Sequence, residues 1–194
     1  GGMISFFISF PILRTKGVYM VLATFAIAEI VAGIILNSDY LGGPTGMVVN
    51  AYIETEVILI VAITVILFGF YLMSTRVGLA MRSVHDDEAV ADQMGVNKRA
   101  FQVGAFTLGG AIAGLSGGLY ALYFGFIEAQ YFNANISIFV LLYVLIGGTQ
   151  TAWGPLVGAS FFTLIPEALR IGDDWRFFIF GIIIVIMMII RPEG

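Results

Sequence analysis

The chain has 194 residues, 59% of them hydrophobic and 11% charged, where a soluble domain carries roughly 25% charged residues. Its formal net charge is −4, and it has 24 Gly but no Cys, which excludes a disulfide framework and thiolate metal sites. This composition implies an all-α, polytopic helical membrane protein. Several uncharged runs are long enough to cross about 30 Å of hydrocarbon at about 1.5 Å per residue. They are continuously apolar and do not alternate with period two, which disfavours a barrel.

The opening residues GGMISFF lack the basic start of a cleavable signal peptide. The run 4–13 is apolar but too short to span, so it reads as the end of a helix cut at its start, in an N-terminally truncated fragment. Arg14 to Gly17 forms a basic turn. The run 18–36 is a full span, interrupted only by Glu29. The loop Asn37 to Asn50 contains LGGPTGM, whose Gly-Gly-Pro signals irregular backbone. The run 57–73 is uncharged and makes another span.

Ser74 to Ala100 is the longest polar run, carrying Arg82, Asp86, Asp87, Glu88, Asp92, Lys98 and Arg99. Asp86 or Asp87 is a candidate N-cap for a short helix Glu88 to Met94, with Gly95 as its stop. An uncharged span follows at 101–127, closed by Glu128. No charge occurs from Ala129 to Pro166, which is too long for one helix. The segment GGTQTAWGP, Gly147 to Pro155, is the break, because its Gly and Pro do not fit one straight helix. Short or re-entrant helices are therefore expected at 136–146 and 156–166, and a last helix at 177–190. The whole of 1–194 reads as one transmembrane domain.

Charge orients these spans. If each apolar segment crosses once, Arg14, Lys16, Arg76, Arg82, Lys98, Arg99 and Arg191 lie on one side, with Arg170 and Arg176 opposite. Basic residues collect on the cytoplasmic side. The polar run 74–100 is then cytoplasmic and the LGGPTGM loop external.

Few residues could carry chemistry. Gly110, Gly114 and Gly118 recur every four residues on one helical face, a pattern that lets helix backbones approach closely in lipid. Glu29 is the one acid placed within a span; it either serves substrate or proton movement, or contacts water or a neighbouring helix. His85 stands beside Asp86, Asp87 and Glu88, which do not converge as metal ligands, so no metal is expected. There is no catalytic constellation and no G-x-x-x-x-G-K-[ST] phosphate loop. The chain is accordingly not expected to be an enzyme, to hold a cofactor or to bind nucleic acid.

Six segments in order carry a resemblance. They are LRTKGVYMVLATFAIAEI (Leu13 to Ile30), LGGPTGM, the loop from Val77–Gly78 through Asp87–Glu88 to Gly95–Val96–Asn97, AFTLGGAIAGLSGGLYA, IGGTQTAWGPLVGA (Ile146 to Ala159), and the terminal RPEG. Together they resemble the LivM-type permeases of branched-chain amino-acid ABC importers. In this chain His85 stands where that family usually has Arg. Glu88 also lies one residue farther from Gly95 than the general coupling motif has it.

The resemblance implies a multi-pass subunit of the bacterial or archaeal cytoplasmic membrane, embedded in the lipid bilayer. Its implied partners are two cytoplasmic ATPase subunits, a related permease subunit in a heterodimer and an extracytoplasmic substrate-binding protein. ATP hydrolysis falls to the separate ATPases. Asp86, Asp87, Glu88, Ala89, Ala91 and Gly95 become the ATPase-coupling residues. Glu29, Gly147, Gly148 and Thr149 are the candidates for the translocation path or gate. Branched-chain or other hydrophobic amino acids are the expected cargo, with urea or a short amide as the alternative. An ion-coupled secondary transporter would be expected to carry several intramembrane ionisable groups, and only Glu29 qualifies.

Overall fold

A computed structural model describes residues 1–15, 17–86, 91, 93, 95–148, 151, 153–168, 181 and 182. The chain forms two compact units, Gly1–Phe132 and Asn133–Gly194. The expected helix 177–190 lies outside the described residues except for Gly181 and Ile182.

The first unit contains α1 (Gly2–Ile12), α2 (Val18–Leu36), α3 (Thr55–Ser74), α4 (Arg76–Asp86) and α5 (Lys98–Phe124). Two short strands, β1 (Met47–Val48) and β2 (Phe126–Ile127), pair antiparallel, with Met47 opposite Ile127 and Val48 opposite Phe126. Three of the helices, α2, α3 and α5, are long and apolar enough to cross a membrane. None of the spanning stretches is buried within the chain, as suits side chains whose solvent is lipid. Three threonine hydroxyls in these spans bond to the backbone one turn back, which suits hydrocarbon. Thr64 and Thr107 donate to the carbonyls of Ile60 and Val103, each at 2.7 Å, and Thr24 donates to Val21 at 2.7 Å.

α1 lies along α5. Ser9 is fully buried there, its hydroxyl donating to the Phe6 carbonyl at 2.6 Å, and Ile12 is buried beside it. The approach is close because small residues face each other. A Cβ on Gly110 would collide with Ser5, and one on Gly114 with Gly1. A Cβ on Gly118, the third member of the same stripe, would meet nothing within 4 Å.

The polar run after α3 is more helical than the sequence reading has it. Thr75 adopts an extended conformation that breaks α3, and α4 then runs from Arg76 to Asp86. Val77, Met81 and Val84 recur at helical spacing, and Val84 is buried. That apolar face is the physical reason a segment read as loop folds as a helix. Gly78 sits in the elbow, where a Cβ would strike the Leu72 carbonyl.

The second unit contains α6 (Ala134–Gly147) and α7 (Trp153–Ala168), packed against each other. Asn133 caps α6, its side chain accepting from the Ile136 amide at 3.3 Å. The Tyr143 and Phe162 rings stack with centroids 5.7 Å apart, and Phe162 is buried.

Candidate functional site

On the side assigned to the cytoplasm, the segment between α4 and α5 is built from turn chemistry. The Val96 amide donates to the Ala91 carbonyl at 3.0 Å, closing a turn that Gly95 ends with φ of 79°. Gly95 has open space around it. Its requirement for glycine is therefore conformational, since side chains rarely adopt that φ. Ala91 is buried at 1% exposure. Asn97 then caps α5 by accepting from the Ala100 amide at 3.2 Å. This start precedes the expected one at 101, because the cap lies upstream of the first apolar residue. Asp86 ends α4. Asp87, Glu88 and Ala89, with most of the expected helix Glu88 to Met94, lie outside the described residues.

On the opposite side, the LGGPTGM loop is tied to the far end of α5. Gly125 caps α5 in the left-handed conformation, its amide donating to Ala121 at 3.0 Å and its carbonyl accepting from Val49 at 2.9 Å. The β1–β2 pair follows at once. Gly46, with φ of 73°, passes so close to β2 that a Cβ would lie 2.7 Å from the Ile127 carbonyl and from the Phe126 ring. α5 therefore joins the turn at Gly95 to the LGGPTGM loop. It does so as one unbroken helix about 40 Å long at about 1.5 Å per residue.

Between α3 and α5 runs a groove of about 530 Å³, within the range of small-molecule sites. Its walls are aliphatic, from Ile58, Val65, Ile112 and Leu119, with the rings of Tyr120 and Tyr123. Thr55 and Ser116 add single hydroxyls. Tyr52 stacks on Tyr123 at a centroid distance of 6.4 Å. The sequence reading did not find this groove: where every helix face is apolar, periodicity cannot mark the face that lines a cavity.

Glu29 is exposed on α2, beyond the helix midpoint. Phe25 and Gly33, one turn to either side, share its face, and a Cβ on Gly33 would meet nothing within 4 Å. The structure does not bring Glu29 to the α3–α5 groove, whose lining includes no residue of α2.

Gly147 and Gly148 end α6. Gly148 takes φ of 95°, with its amide donating to Val144 at 3.0 Å. A Cβ on Gly147 would run into the backbone of Gly154, one on Gly154 into the Gly148 carbonyl, and one on Gly158 into the Tyr143 carbonyl. The break is thus a tight hairpin of two helices whose backbones touch. Thr149 lies outside the described residues. Among the described residues no three His, Cys, Asp or Glu side chains gather as metal ligands.

The family model described as "Branched-chain amino acid transport system / permease component" matches residues 1–190. The high-affinity branched-chain amino acid transport system permease protein LivM of Escherichia coli K12 is 25% identical, over 97% of this chain and 53% of its own length. A probable LivM of Methanocaldococcus jannaschii is 24% identical, over 95% of this chain and 61% of its own. The autoinducer 2 import system permease protein LsrC of Klebsiella pneumoniae is 32% identical, over 63% of this chain and 38% of its own. The chain thus spans about half the length of the LivM relative from Escherichia coli. No solved structure matches it.

Proposed function

The chain belongs to the family of branched-chain amino acid transport permease components, and from that premise we propose that it helps form the membrane pathway of an ATP-driven importer for branched-chain or other hydrophobic amino acids. It is a multi-pass helical protein of the cytoplasmic membrane, and its part in transport is that of a permease, not an enzyme.

The observation that carries the cargo class is the groove between α3 and α5. Its aliphatic and aromatic walls, with a few hydroxyls, suit an apolar side chain that must be released again. Glu29, Gly147, Gly148 and Thr149 are proposed to border the path elsewhere along the membrane.

Energy enters at the turn before α5. Asp86, Asp87, Glu88, Ala89, Ala91 and Gly95 are proposed to dock on one of two cytoplasmic ATPase subunits, which hydrolyse ATP. The capped helix α5 would carry the displacement to the external loop. A related permease subunit completes the pathway, and an extracytoplasmic binding protein delivers cargo. Gly95→Val is expected to lower ATPase assembly and ATP-driven uptake at least tenfold, since φ of 79° excludes a β-branched residue. Wild-type assembly and uptake in that variant would sink the docking assignment.

The similarity to autoinducer 2 import permeases supports a second reading, in which autoinducer 2 is the cargo. Uptake of radiolabelled leucine, urea and autoinducer 2 by cells lacking the chain, with and without complementation, separates these cargoes. Leucine uptake restored by complementation, with no change for the others, is the expected result. Restoration of urea or autoinducer 2 uptake alone overturns the amino-acid assignment.

A further inference from the structure

The groove between α3 and α5 has two walls, and each of these helices ends in a capped joint. At α5 the joint is Asn97, beside the turn at Gly95. At α3 it is Thr75, a single residue between Ser74, the last of α3, and Arg76, the first of α4. The Thr75 amide donates to the Leu72 carbonyl at 3.1 Å and so ends α3. Its carbonyl accepts from the Leu79 amide at 3.1 Å and so begins α4.

The Thr75 hydroxyl is held from both sides. It donates to the Leu72 carbonyl at 2.7 Å and accepts from the Gly78 amide at 3.4 Å. A hydroxyl has one proton to give and lone pairs to receive, so one side chain caps the end of one helix and the start of the next. Backbone fills the rest of the elbow. Gly78 is buried, and a Cβ there would strike the Leu72 carbonyl and lie 2.6 Å from the Met73 Cα. The elbow has no spare residue, and two hydrogen bonds to one hydroxyl tie its arms together.

α4 leads from the elbow toward the turn closed by Ala91 and Gly95. It packs on α5 as well as on α3, with Val84 buried. α3 leads the other way to the groove, whose lining on this helix runs from Thr55 to Ile66. α3 has 20 residues, about 30 Å at about 1.5 Å per residue, so a rotation of about 10° at the elbow swings its far end by about 5 Å. We propose, on the reading of the groove as path and of the Gly95 turn as docking site, that Thr75 is a positioning residue for transport. By fixing the angle between α4 and α3, its hydroxyl makes displacement of the docking turn move the α3 wall of the groove. Valine at this position keeps the shape of the side chain and suits the extended backbone of Thr75, at φ −87° and ψ 168°. It removes both side-chain hydrogen bonds, so the two helices persist while the angle between them is released.

Two measurements on the full-length protein test this. In the first, spin labels at Leu59→Cys of α3 and Arg82→Cys of α4, both exposed positions, report the elbow through their distance distribution in a cysteine-free background. Thr75→Val is expected to widen that distribution at least twofold, and Thr75→Ser to keep the wild-type width. Equal widths in wild type and Thr75→Val overturn the proposal whatever the cargo. In the second, the assembled transporter in proteoliposomes takes up radiolabelled leucine while ATP hydrolysis is followed. Thr75→Val is expected to lower leucine moved per ATP at least fivefold, with ATPase assembly and hydrolysis within twofold of wild type. Thr75→Ser is expected to restore the ratio. An unchanged ratio in Thr75→Val, an equally low ratio in Thr75→Ser, or loss of ATPase assembly in Thr75→Val each overturns the proposal. If wild type moves no leucine, the cargo reading fails and the spin labels decide the joint alone. Should Thr75→Val fail to fold, Thr75→Ala, which also lacks the hydroxyl, takes its place in both measurements.

Discussion

Two helix pairs in this protein use glycine for close approach, α1 with α5 and α6 with α7, and they differ in what the glycines meet. At α6–α7 every obstacle is backbone: Gly147 faces Gly154, Gly154 faces the Gly148 carbonyl, and Gly158 faces the Tyr143 carbonyl. At α1–α5 the obstacle to Gly110 is a side chain, that of Ser5, while Gly114 faces the backbone of Gly1 at the start of α1. A backbone carbonyl inside a helix cannot step aside without breaking its own hydrogen bonds. A serine rotamer can change, and a helix end can shift. One composition rule thus yields a rigid hairpin in one unit and a more adjustable contact in the other.

The largest effect is expected where nothing can yield. Gly158→Leu would drive four carbons into the Tyr143 carbonyl, beside the buried Phe162. Overpacking a tight contact costs about 1–3 kcal/mol, sometimes more; here we expect about 3 kcal/mol or more, read as collapse of the monodisperse yield in detergent. A variant with wild-type yield and melting temperature would show that the hairpin adjusts, and the contrast would fail.

The α1–α5 contact sharpens the same comparison through a double-mutant cycle. Gly110→Ala meets Ser5 and is expected to cost about 1–2 kcal/mol. With Ser5→Gly in place, the nearest atom to the new methyl group is the Ser5 Cα at 3.7 Å, an ordinary contact. The two substitutions should therefore couple favourably by about 1 kcal/mol in thermal unfolding, as contacting pairs do. Additive effects would mean that Ser5 is not what limits the approach.

How much of this was legible in the sequence varies with the signal each element leaves. The helical membrane class followed from uncharged runs, because lipid leaves backbone groups few other solutions. The polar run hid α4, since its few apolar residues show a face only when Val77, Met81 and Val84 are read as one stripe. The cap at Asn97 lies upstream of the first apolar residue, where hydrophobic periodicity gives no signal. The β1–β2 pair joins two-residue strands from distant parts of the chain, too short for any period to register. The groove between α3 and α5 was invisible for the opposite reason, because uniform apolarity erases the contrast on which a helical face depends. The glycine stripe was read from spacing alone, and spacing does not say which of its members has a neighbour.

Gly118 makes that last point measurable. It shares its face with Gly110 and Gly114, but a Cβ there would meet nothing within 4 Å. Gly118→Ala should therefore lose no contact within the described residues. It should gain the helix propensity that separates the two residues, up to about 1 kcal/mol in a helix interior, partly by restricting the unfolded chain. We expect the isolated protein to melt slightly higher, the smallest of the three effects and the only one of opposite sign. A lower melting temperature of the assembled transporter, with the isolated protein melting higher as expected, would mean that Gly118 is covered in the assembly. The stripe would then serve two contacts, an inner one with α1 at Gly110 and Gly114 and an outer one at Gly118 with a helix from another part of the transporter.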